Sequence, residues 1–214
     1  NDPEAIQTAE RLVRGGLRRA AADHTNAGRA LAERGLETND KPERDKLFEA
    51  ALKEYQMAAQ GWEGYLLQDE NSADAYESRF WLADAHHMVV VLLVALDRTP
   101  TQQQIEVARR AAVTVRDSNE DNKYLQPAAF FVVDVAYQQL RHQYNRHKSS
   151  GGSEGIKELD GVQFENEGTK EQKVVKAALP PAVLEVMKAR EEYVQRVPDR
   201  SEEHTSELQS PYVI

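Results

Sequence analysis

The chain contains no cysteine, which excludes disulfide staples, thiolate catalysis and Cys-ligated zinc but leaves the compartment open. Glycine and proline are sparse, at 11 and 8 of 214 residues, too few for a collagen-like or linker-dominated chain. Long apolar runs are missing as well. The longest, Met88 to Leu96, covers less than half of the roughly 20 residues a spanning helix needs, so no transmembrane segment is expected. Basic residues are outnumbered, 27 Lys and Arg against 36 Asp and Glu, for a net charge of −9. Phosphate neutralisation needs a basic face, so a nucleic-acid partner is not expected. There is no Gly-rich phosphate loop, nucleophile elbow or paired-histidine metalloprotease motif, and no catalytic residue or cofactor is assigned. What is present, 40% hydrophobic and 29% charged, is an acidic chain long enough for one packed domain or a short array of repeats.

Both ends stand apart from the middle. Asn1 occupies the first position and no charged-then-apolar signal segment follows it, so targeting is not legible. At the other end, Arg200-Ser201-Glu202-Glu203-His204-Thr205-Ser206-Glu207-Leu208-Gln209-Ser210 resembles the in-frame translation of a sequencing adapter. The chain is therefore expected to be a gene fragment whose natural sequence stops near Asp199, with 200–214 a non-native tail.

Between them the sequence predicts helices with clear punctuation. Residues 1–35 form an N-terminal helical segment with apolar residues at helical spacing, Gly15-Gly16 predicting a break and Gly35 a stop. Asp40-Lys41-Pro42-Glu43 predicts a capping box, opening a helix to Gln68 through Leu47, Tyr55, Ala58, Trp62 and Tyr65. Ser72 predicts the cap of a helix running to about Leu96. Thr99-Pro100-Thr101-Gln102 predicts a second capping box, and a further helix runs from about Lys123 to His147, with Pro127 in its first turn. Residues 148–170, rich in Gly, Ser and acid, predict a flexible insertion or linker. Segments 171–179 and 181–196 predict C-terminal helices within 171–198, the second with an apolar stripe of Val183, Val186, Met187, Tyr193 and Val194.

An internal repeat lies in the middle. Phe80-Trp81-Leu82-Ala83-Asp84-Ala85 matches Phe130-Phe131-Val132-Val133-Asp134-Val135 type for type at an offset of 50, which also sets Ala58 on Ala108. Two helix-turn-helix units in tandem over 40–147 follow from this. Tyr55…Ala59…Trp62…Tyr65-Leu66, then Asn71-Ser72-Ala73-Asp74-Ala75…Phe80-Trp81-Leu82-Ala83-Asp84-Ala85, resembles a tetratricopeptide repeat (TPR), in the variant found in bacterial cell-envelope proteins. Glu70 stands where that family has its helix-breaking Pro, and the spacing of 50 exceeds the usual length of about 34, as in a long-helix version. The resemblance implies an all-α fold, tandem antiparallel helix pairs in a short right-handed α-solenoid. It also implies the cell envelope (periplasm), with the cytoplasm left open.

Candidate chemistry is thin. Asp84 and His87 are neighbours on one helical face and would seed a metal site or a metal-dependent helical enzyme, but a site needs three or four converging ligands. Packing and surface roles explain His86 and His87, and helical spacing with other apolar residues makes Trp62 and Trp81 core. The leading expectation is a non-catalytic protein–protein interaction scaffold, the alternative an architectural spacer of a longer repeat protein. In the TPR family the first helix of each pair lines a concave face. Carrying its binding positions over implies Phe80, Asp84 and His87 in one unit and Phe130, Asp134 and Tyr137 in the next. Such a stripe, with acidic centres and aromatic walls, suits a protein or peptide partner bearing Lys or Arg plus an apolar anchor.

Overall fold

The computed structural model describes residues 2–68, 70–118, 122–149, 162–165, 170, 173–176 and 179–197. These are helical apart from turns and one short ribbon: α1 (Pro3–Glu37), α2 (Lys41–Gln68), α3 (Ala75–Ala95), α4 (Gln102–Arg116), α5 (Leu125–Ser149, entered through a 3₁₀ turn at Asn122–Tyr124) and α6 (Pro181–Arg196). Each helix packs on the next, and α3 also packs on α5. The body is all-α. The ribbon pairs β1 (Val162–Glu165) with β2 (Lys173–Lys176) antiparallel. It corrects the helix expected over 171–179, at least at 173–176. Val174 and Val175 are β-branched, and four residues are too few to sustain a helix alone. The 200–214 tail and most of the 148–170 insertion lie outside the described residues.

Packing explains α1, where sequence reasoning failed. Helix α1 runs unbroken through Gly15-Gly16 and past Gly35, although an interior glycine costs about 1 kcal/mol relative to Ala. Its second half is held by α2. Small residues at every seventh position, Ala21, Gly28 and Gly35, face α2, where Phe48, Tyr55 and Trp62 also recur every seventh position and are buried. The fit is close. A Cβ on Gly28 would lie 2.9 Å from the Tyr55 ring, and one on Gly35 would lie 2.5 Å from Phe48. Glycine is thus required at both positions for the aromatic rings to approach the α1 backbone. Each buried ring removes ~150–250 Å² from water, worth up to about 4–6 kcal/mol at ~25 cal/mol per Å², which outweighs the glycine penalties. The Trp62 indole N–H donates to the Thr25 hydroxyl (3.0 Å), which itself donates to the Ala21 carbonyl (2.9 Å).

The pairing of Gly35 with Phe48, Gly28 with Tyr55 and Ala21 with Gly61 makes the two helices antiparallel and brings Gln68 beside Arg14. The first turns of α1 therefore overhang the end of α2. Their Ile6, Leu12 and Val13 are exposed, and no atom lies within 4 Å of a Cβ built on Gly15 or Gly16.

Helix ends follow the sequence with small shifts. Asp40 accepts from the Glu43 amide (3.2 Å) at the start of α2. The second capping box is formed by Thr101 and Gln104, with Thr99 and Pro100 outside the helix. Asp74 rather than Ser72 is the N-cap residue of α3, without a side-chain cap bond. Its carboxylate instead accepts from the Tyr65 hydroxyl (2.7 Å). Helix α3 closes in a Schellman turn, with Arg98 N–H donating to the Leu93 carbonyl and Asp97 N–H to Val94, and Asp97 supplying the positive φ of 57° usually left to glycine. By length and composition α3 could cross a membrane, but 67% of its apolar window is buried against other helices.

Candidate functional site

Helix α3 packs on α5 and is reached by long side chains from α1, and the side chains at these two meetings form one arrangement twice. On α5, Phe131 and Asp134 receive His87 from α3. The rings of His87 and Phe131 stack at 4.4 Å between centroids, and His87 Nε2 is 2.7 Å from Asp134 Oδ2. With the proton on Nε2, the imidazole donates to the carboxylate. Gln138, one turn on, donates to Asp134 Oδ1 (3.2 Å). On α3, Trp81 and Asp84 occupy the positions 50 residues earlier and receive Arg29 from α1. Its guanidinium lies over the Trp81 ring (5.3 Å) and 4.0 Å from Asp84 Oδ2. An aromatic ring and a carboxylate three residues later thus clasp one nitrogenous side chain from the helix two earlier at both interfaces.

The clasps differ in closure. His87 is 2% exposed and Asp134 4%, and the imidazole Nδ1 has no partner among the described residues. Arg29 keeps 41% of its side chain in solvent. Asp84 Oδ2 is buried without a hydrogen bond. That burial raises the Asp84 pKa above the ordinary carboxylate range, with His87 and Arg29 pulling the other way.

This geometry corrects the expected binding stripe. Phe80 is core, stacked on Tyr124 (4.1 Å) and Phe131 (5.8 Å), and His87 and Asp134 are locked between helices. All three are buried. Phe130 is half-buried against Phe131, Asp84 faces Arg29, and Tyr137 is exposed apart from the others. The structure pairs His87 with Asp134 through Nε2, whereas the sequence had set it beside Asp84. Among the described residues no group of three His, Cys, Asp or Glu side chains is arranged to hold a metal. Trp62 is core, as expected.

Trp81 is different. Only half-buried, it walls a cleft of about 490 Å³ between α1 and α3, rimmed by Arg18, Arg19, Asn26 and Glu77 and floored by Trp62. Arg18 is held by Asp74 (2.9 Å) and Glu77 (3.6 Å). Sequence reasoning missed Arg18, Arg19 and Arg29, because no local spacing marks which face of α1 meets α3. The signal that existed was the run from Arg11 to Ala22, with four arginines and no acid.

Fold and site together define an all-α protein of successively packed helices in which alternate helices clasp one another. Comparison with family models, with curated proteins and with solved structures returns no match to this chain.

Proposed function

We propose that this chain is a non-catalytic interaction scaffold, a TPR-like α-solenoid that binds a peptide or partner protein between its first helices. The observation that supports the reading is the recurrence of one clasp, aromatic plus Asp, at two successive interfaces between alternate helices. A repeated interface of that kind is what stacked helix pairs require. The α1/α3 cleft, with a half-buried tryptophan and a polar rim, supplies the concavity that a peptide ligand needs.

The test is to probe the purified chain with an immobilised peptide array of mixed composition. Each captured peptide is then mapped by hydrogen exchange. Protection of α1 and the start of α3 is expected. Capture of no peptide, or protection confined to α4–α6, would overturn the reading.

A further inference from the structure

We infer that the groove along α1, from the overhang at Gln7 to the cleft at Trp81, docks an acidic peptide segment; this rests on the scaffold reading and reverses the charge expected of the partner. Two concavities follow one another on this helix. The first, of about 530 Å³, lies where Arg11 and Arg14 of α1 pass Gln68 at the end of α2. The second is the 490 Å³ cleft at Gly15, Arg18, Arg19 and Trp81. Gly15 lies at the junction and presents no side chain to interrupt the track. From Gln7 to Asn26 it measures ~28 Å at 1.5 Å per residue, the length of about eight residues of extended peptide.

Charge selects the occupant. The chain as a whole is at −9, yet residues 11–22 carry four arginines and no Asp or Glu. Arg11 and Arg19 make no hydrogen bond or ion pair to any described residue. Glu10 and Glu77 are the acids on the walls, and Glu77 faces Arg18. The carboxylates that would have greeted a basic partner are withdrawn into the fold: Asp74 is held by Arg18 and Tyr65, Asp134 by His87, and Asp84 is buried near Arg29. The Arg19 guanidinium beside a half-buried indole, with Arg11 further along the track, suits a peptide of Asp or Glu with an aromatic anchor, the charge steering encounter and the ring supplying affinity. A bilayer is flat and does not enter a cleft between helices. A long polyanion would be repelled by the acidic remainder of the chain.

The probes are a fluorescein-labelled peptide of about eight residues alternating Glu and Phe, its Lys–Phe counterpart, phosphatidylserine-containing vesicles and an oligothymidylate. Saturable binding of the Glu–Phe peptide alone is expected, weakening as salt rises. The double variant Arg11→Gln/Arg19→Gln should bind it about tenfold more weakly at an unchanged melting temperature, since neither side chain makes a hydrogen bond or ion pair to a described residue. Equal binding by the variant, or preference for the Lys–Phe peptide, overturns the acidic-segment inference and leaves the scaffold reading standing. Tighter binding of vesicles or oligothymidylate replaces the peptide as occupant. Silence of both peptides here and of the whole mixed array removes both readings.

Discussion

At the α3/α5 interface a histidine meets its carboxylate at 2.7 Å, out of water. At α1/α3 an arginine sits 4.0 Å from the equivalent carboxylate, with much of its side chain in solvent. The aromatic residue and the Asp recur; the side chain delivered to them differs. Imidazole is short, flat and able to stack, so α3 and α5 close until both partners are dehydrated. A guanidinium is permanently charged and costly to dehydrate, so Arg29 lays its stem along the interface and keeps its head near water. The helices at that interface stay far enough apart to leave a cleft. The side chain that arrives from the helix two earlier therefore decides whether a repeat of the clasp becomes core or becomes an open surface.

The comparison breaks most sharply at the carboxylates. Asp134→Ala strands a buried imidazole and should cost about 3–5 kcal/mol, whereas Asp84→Ala, at the open clasp, should cost under ~1 kcal/mol; urea melts of the two variants side by side check the contrast, and equal losses would show that the clasps are not different in kind. Along α1, Gly35→Ala drives a methyl into the Phe48 ring and should destabilise by about 1–3 kcal/mol, read as a lower melting temperature. Gly16→Ala lies on an open side of α1, where nothing meets the new Cβ, and should stabilise by about 0.4–1 kcal/mol. A loss there would place a contact on that segment that the fold does not show.

The smallest effect is in pH dependence. Asp84 has its folded pKa raised by burial, so the folded state holds its proton more tightly than the unfolded chain. Its contribution to stability is fully present below the unfolded pKa and is lost as pH rises through the folded one. Asp84→Asn should therefore remove that acid-side gain, flattening the melting temperature over this window and raising it slightly at neutral pH. Asp117 behaves oppositely: hydrogen bonds from Arg116, opposed by desolvation and aided by the Arg196 charge, hold its pKa down. Arg116 also reaches Glu192 of α6 (2.8 Å). Asp117→Asn should lose stability mainly above the unfolded carboxylate pKa, the difference from the parent chain vanishing as pH falls through the folded value.

The helices of the middle were legible because each carries its own local signal: Asp40 as a cap, a Thr-Pro-Thr-Gln start read two residues before the cap that forms at Thr101, an apolar residue every three or four positions from Leu47 to Tyr65, and no Gly or Pro from Ala73 to Leu96. Gly15, Gly16 and Gly35 were misread because local propensity favours a break at glycine. The outcome at Gly35 was set by Phe48, a residue on another helix. Phe80, His87 and Asp134 of the expected stripe are buried for a related reason. Helical spacing fixes which residues share a face, but not whether that face looks at solvent or at α5.

Composition, caps and periodicity by themselves determined that this protein is helical, acidic and repetitive, since those are properties of single segments summed along the chain. The tertiary structure alone decided that His87 belongs to Asp134, that Arg29 belongs to Trp81 and Asp84, and that one interface shuts while the other stays open. Those outcomes depend on distances between helices, which are set by the size and hydration cost of whichever side chain arrives from the neighbour, and no segment carries that information about another.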